Sequence, residues 1–137
     1  MALWLKRTAE SGDWVCILGR GTTEQRNYGL WLEANSRRWM YQQYGGGGAI
    51  NVFGTKPIEQ GQWIHLAVTI EGDMVRVYYN GQLDGQDKRP GAPHVGGGPL
   101  GIGNAMAHTG LIGALDDVRI YRRALSADEI RNLFQGR

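Results

Sequence analysis

GLIGALDDVRIYRRALSADEIRNLF, residues 110–134, reads as a β-strand followed by a short amphipathic helix. In its first half Val118 and Ile120 alternate with Arg119 and Tyr121, the period-two pattern of a strand with one face on a core. In its second half Ser126 and Glu129 have the spacing of a capping box. The serine hydroxyl accepts from the backbone N–H of residue 129 and the glutamate reaches back to that of residue 126, so two otherwise orphaned helix-end donors are satisfied. Leu125, Ile130, Leu133 and Phe134 give the helix one apolar side. A helix of about three turns does not stand alone in water. It is therefore expected to close a β-rich domain as a latch laid on a finished sheet.

Working back from that stretch, the chain is a succession of short strand patterns. ALWLK (2–6) and WVCILGR (14–20) are joined by a polar turn through Ser11, Gly12 and Asp13, and YGLWLE (28–33) and RRWMYQQY follow, separated by Ala34-Asn35-Ser36. Gly45 to Gly48 is a glycine run without the Lys-Ser/Thr and the helix that a phosphate cradle needs, so it reads as a hairpin loop. AINVFG (49–54) is another strand. WIHLAVTIE (63–71) alternates cleanly, with Ile64, Leu66, Val68 and Ile70 on one side and Trp63, His65, Ala67 and Thr69 on the other, as in a central strand. MVRVYY (74–79) leads into Asn80-Gly81, which supplies the two positive-φ positions of a type I′ hairpin turn before a return strand at Gln82. Residues 84–98 read as a long exposed loop, and LGIG (100–103) as one more short strand. About ten strands with no crossover helices exclude parallel α/β architectures and leave an antiparallel sandwich.

Composition narrows the function classes. With 137 residues, 42% hydrophobic and 20% charged, one globular domain with one core is expected. The net charge of +2 is spread over scattered pairs such as Arg37-Arg38 and Arg122-Arg123, which argues against nucleic acid as partner. Cys16 is the single cysteine, so no internal disulfide forms. No apolar run approaches the roughly 18 residues of a membrane span, and no signal-peptide pattern opens the chain.

The motifs ALWLK, WIHLAVTIEGDMVRVYYNGQLDG, GPLGIGN and GALDDVRIYRRALSADEI, in that order, resemble the laminin-G-like, concanavalin A-like jelly-roll domains of large bacterial extracellular proteins. The resemblance covers nearly all of residues 1–137. It implies an all-β antiparallel jelly-roll sandwich with a short C-terminal helix and an extracellular or cell-surface setting. It also implies a non-catalytic module that binds a glycan or an extracellular protein, often with calcium. Family members usually carry a further strand before the one matching ALWLK. Its absence is expected to leave the closing strand with an open edge, which invites a homodimer. The alternative to carbohydrate binding is thus a structural or protein-interaction domain that self-associates through that edge. A glycoside hydrolase comes third.

Hydrolysis of glycans needs two carboxylates, about 5 to 5.5 Å apart in retaining enzymes. No Glu-x-Asp-x-Glu run is present, and Glu71 and Asp73 flank Gly72 at a hairpin tip, where a solvated turn is the simpler reading. His65, His94 and His108 lack the spacing of a zinc site. For calcium, Asp116 is the candidate. It shares a parity with Val118 and Ile120 and is expected to be buried, with Arg, backbone amides or calcium as the alternatives for its partner. For a sugar, Trp31, Trp39, Tyr41 and Gln43 are expected to form one patch on an outer concave face, the competing reading being that some of them cover the sandwich edge or fill the core. Arg76 and Tyr78 are a second set, and residues 84–94 a third.

Overall fold

A computed structural model of the protein describes residues 1–94 and 96–136. Val95, inside the segment read as a loop, and Arg137 lie outside the described residues. The strands are β1 (Ala2–Arg7), β2 (Val15–Gly21), β3 (Arg26–Leu32), β4 (Trp39–Gly45), β5 (Gly48–Phe53), β6 (Trp63–Glu71), β7 (Met74–Tyr79), β8 (Gln82–Lys88), β9 (Leu100–Ile102) and β10 (Gly113–Arg119), followed by helix α1 (Ala127–Gln135). They form two five-stranded antiparallel sheets, ordered β10-β1-β6-β7-β8 and β5-β4-β3-β2-β9. This is the expected jelly-roll sandwich, with β6 at the centre of the first sheet.

The core lies between the sheets. Leu3, Leu5, Ile64, Leu66, Val68, Val75 and Val77 of the first meet Ile17, Leu30, Leu32, Trp39, Tyr41 and Val52 of the second. The alternation of β6 does what a half-buried strand must: its other side carries His65 and Ala67 onto the outer face, where α1 covers them. Asn80 and Gly81 have φ of 49° and 78°, the paired left-handed positions that join β7 to β8. Helix α1 has its capping box in place, with Ser126 Oγ accepting from the Glu129 backbone N–H and Glu129 accepting from that of Ser126. Ile130, fully buried, and Leu125 anchor it over Ala2, Ala67 and Tyr78.

Two expectations are corrected. Residues 84–88 are strand, not loop, and Asp84 is buried because its carboxylate accepts from the backbone N–H and hydroxyl of Thr55 and from the Lys56 N–H. The closing strand β10 pairs with β1 on one side, from Ala2↔Arg119 to Arg7↔Gly113, and is an edge strand, as expected. The edge left open is the far side of β10. Finally, β10 does not keep a strict period of two. A bulge falls opposite the step between Ala2 and Trp4, with Asp117 at a φ of 49°. Leu115 and Val118 therefore both pack on the core, while Asp116 and Ile120 are exposed.

Candidate functional site

The register of β3 against β4 decides which side chains can meet a ligand. Trp31 stands opposite Met40, whereas Trp39 pairs with Leu32 and Tyr41 with Leu30. The expected patch is therefore split between two faces. Trp39 and Tyr41 are buried in the core, and Gln43, 2% exposed, lies on their side, accepting from the Tyr41 hydroxyl at 3.3 Å. Trp31 alone faces outward. Tyr78 is also corrected: it is buried beneath α1, and Arg76, half-buried, pairs with Glu71 at 3.3 Å.

On the outer face of the second sheet, Gly19 of β2 and Gly29 of β3 are cross-strand partners. A Cβ at Gly29 would run into the Trp31 indole, and one at Gly19 into Cys16 Sγ and the Met106 methyl. Lacking side chains, the two glycines let the indole lie close on the sheet. Trp31 is only 2% exposed because other groups cover it. The Arg26 guanidinium sits 5.2 Å from its ring centroid, a cation–π arrangement. His108 meets it edge-on at 4.8 Å and Trp14 at 6.5 Å. Arg26 Nη2 lies 3.2 Å from His108 Nε2. Arginine can only donate, so Nε2 accepts and the imidazole proton of this geometry is on Nδ1.

These groups border a cleft of about 300 Å³, floored by Trp31 and Met40 and flanked by Trp14, Arg26 and His108. Its remaining wall is Gln42, whose Nε2 donates to Asn51 Oδ1 at 2.9 Å. The mixture is the half-buried Trp14 ring, just before β2, beside amides and a guanidinium held on strands. Such a surface can stack on the C–H face of a ring and bond its hydroxyls. Among the described residues no Asp or Glu lines it.

Arg26 also borders a second, larger cleft of about 700 Å³ at the end of the sandwich, between the β2–β3 turn and the segment around His94 and Gly96. Asn27 lies at its base, 4% exposed, with Nδ2 donating to the Gly96 carbonyl at 3.4 Å. Asn27 Oδ1 has no hydrogen-bond donor among the described residues. The third sequence-predicted set, residues 84–94, reaches this cleft only through His94; its N–H donates to the Tyr44 carbonyl at 2.9 Å.

The calcium candidate sits elsewhere. Asp116 is exposed at the β10 bulge, not buried, and accepts from the Asp117 N–H at 2.7 Å. Asp117 in turn accepts from Arg119 Nε at 2.7 Å, and that bond raises the Arg119 pKa above its usual value. A shallow depression joins these residues to Asn132 of α1. Calcium takes six to eight oxygens, and with Asp117 engaged by an arginine this donor set does not make up such a shell. Among the described residues no group of three His, Cys, Asp or Glu side chains is placed to hold a metal.

A laminin-G family model, described as the concanavalin A-like lectin/glucanases superfamily, matches residues 1–131. The chain belongs to this family. No curated protein sequence matches this laminin-G-like domain. Among solved structures it is similar to the binding domain of Paraclostridial Mosquitocidal Protein 1, with TM-score 0.74 and 17% identity over 98% of this chain and 36% of that one. It is equally similar to Domain 4 of AbnA, a GH43 extracellular arabinanase from Geobacillus stearothermophilus solved with arabinotriose, with TM-score 0.74 and 23% identity over 98% of this chain and 65% of that one. The Ruminococcus gnavus IT-sialidase CBM40 matches with TM-score 0.72 and 16% identity, over 97% and 80%. At these identities the likeness is one of fold. The domain spans less than two thirds of the first two chains.

Of the residues predicted from sequence, Trp31 alone belongs to the cleft of this laminin-G-like domain. Trp14, Arg26, Gln42, Asn51 and His108 escaped, although Gln42 could have been found from Trp31 had the register been known. His108 comes from a loop between β9 and β10 that nothing in the sequence ties to β3. Beneath the site, burial pushes the Cys16 thiol up to about 12, against a small opposing pull from Arg26. Among the described residues no helix is long and apolar enough to cross a membrane.

Proposed function

We propose that this domain is a non-catalytic recognition module that binds carbohydrate in the cleft bordered by Trp14, Arg26, Gln42, Asn51 and His108. The observation that carries the reading is that the half-buried Trp14 indole borders the same cleft as the hydrogen-bonded Gln42–Asn51 amide pair. The aromatic edge offers stacking area and the amides offer both donors and acceptors to vicinal hydroxyls. The lack of a carboxylate on the cleft walls supports binding without turnover, since glycosidases act through an Asp/Glu pair. Family membership supports an extracellular setting. Calcium is not needed by this cleft, whose donors are neutral or cationic side chains.

The test is a glycan array with wild-type protein, followed by titration of the best hits against Trp14→Ala and Gln42→Ala. Retained folding with binding weakened about tenfold or more in each variant is expected, the size of one stacking or buried hydrogen-bond contact. Failure to bind any polysaccharide would overturn the carbohydrate reading.

A second reading has its own support. The open edges of β9 and β10 lie on one flank, tied by the Leu111 N–H donating to the Gly103 carbonyl at 2.8 Å. Leu100, Ile102, Ile112 and Ile120 are 45%, 53%, 45% and 50% exposed there. A second copy of the chain is the occupant proposed for this flank, by edge pairing of β10. Light scattering at high concentration tests it: a monomer mass at all concentrations would rule it out, while a dimer dispersed by Ile120→Lys would support it.

A further inference from the structure

The guanidinium of Arg26 is the unusual feature of the cleft. Its one side-chain hydrogen bond is the donation to His108, and among the described residues no carboxylate pairs with it. Among the described residues the arginines paired with carboxylates are exposed, apart from half-buried Arg76 and from Arg7, which reaches out to exposed Glu10. Arg26 instead stacks on a tryptophan that is 2% exposed, at the one place where the face cleft and the end cleft meet. Four of its five N–H groups have no protein acceptor among the described residues. A partly desolvated cation aimed at two adjoining hollows lacks its counter-charge, and a carboxylate matches its planar fork in both charge and geometry.

The end cleft brings no counter-charge to it. Among the described residues Glu24 is the one carboxylate lining that cleft, and it is exposed and forms no ion pair with Arg26. We infer that the ligand is an acidic oligosaccharide seated where the two clefts meet, with the carboxylate of one sugar on Arg26. This rests on the carbohydrate reading above and specifies its ligand class. The anchor is the arginine rather than a metal ion, so binding holds in chelator.

The decisive experiment uses the wild-type chain and needs no variant. Binding by titration calorimetry, in chelator, is compared for uronic- and sialic-acid oligosaccharides, for the same molecules with their carboxyl groups reduced to alcohols, and for sulfated ones. Preference for the carboxylate over its reduced form by about tenfold or more is expected, the size of a charge-assisted hydrogen bond. Arg26→Gln is expected to bring that ratio close to one. Equal binding of acidic and reduced forms would overturn the proposal and leave the carbohydrate reading standing. Binding of sulfated but not carboxylated glycans would overturn the carboxylate assignment, and binding lost in chelator would move the anchor to a metal. No binding to any glycan would remove both readings together.

Discussion

Trp4 and His65 form one cross-strand pair of β1 and β6, their ring centroids 5.3 Å apart, and Phe134 of α1 closes over both at 5.7 and 6.3 Å. The imidazole is 2% exposed, and burial lowers its pKa to about 4, with the Asp117 carboxylate opposing that shift. The unfolded chain takes up this proton below about pH 6.5, the folded chain only below about 4. Between those values the unfolded state binds more protons, so stability falls as pH falls through that window and is unaffected by this group above it. The total is roughly 3 kcal/mol. Urea midpoints measured across the window should show the loss in the wild type and a shallower slope in His65→Gln; equal slopes would assign it to other groups.

The helix latch gives a second prediction. Ile130 is 0% exposed and is the side chain by which α1 grips the outer face of the first sheet. Ile130→Ala should cost about 2 to 5 kcal/mol, because little can collapse into the space between a helix and a flat sheet. Ser126→Ala removes the cap alone and should cost about 1 kcal/mol. Chemical denaturation separates the two. A cost at Ile130 no larger than at Ser126 would mean that α1 is frayed in solution.

Cys16 tests whether the floor of the cleft is closed. It is 0% exposed, packed with Trp31, Met40, Ala105 and Met106, and its pKa is pushed up to about 12 by burial. Only thiolate reacts with disulfide reagents. Native protein near pH 8 should therefore be inert to them, and one thiol per chain should titrate once denaturant is added. Rapid labelling of the native chain would show the Trp31 layer opening on its own.

The strands and the cap could be read from residue patterns because both depend on near neighbours. The alternation of residues 63–71 and the Ser126–Glu129 spacing carry their own structural consequence, and the structure has them where expected. Register is a different quantity. Between Leu32 and Trp39 the chain turns with the Glu33 N–H donating to the Arg38 carbonyl at 3.0 Å and Asn35 at a φ of 52°, and nothing in Ala34-Asn35-Ser36 states that pairing. One residue more or less in that turn would move Trp39 and Tyr41 to Trp31's side. Asp116 was misplaced for a related reason, since a single left-handed residue at 117 breaks the parity from which its burial was inferred. The acidic residue that is buried, Asp84, looked like the start of a loop because its partners, Thr55 and Lys56, are 29 and 28 residues away.

That bulge also gives a prediction for added calcium. Asp116 and Asp117 are brought together by it, but the Asp117 N–H is donated to Asp116 and the Asp117 carboxylate is held by Arg119, each at 2.7 Å. A calcium ion at this point would have to displace an arginine and gather most of its six to eight oxygens from water. An ion that binds the native state alone raises the melting midpoint in proportion to its affinity. Thermal melts with millimolar calcium and with chelator should therefore coincide. A calcium-dependent rise that Asp116→Asn abolishes would show instead that Arg119 gives way and that the closing strand carries a metal site.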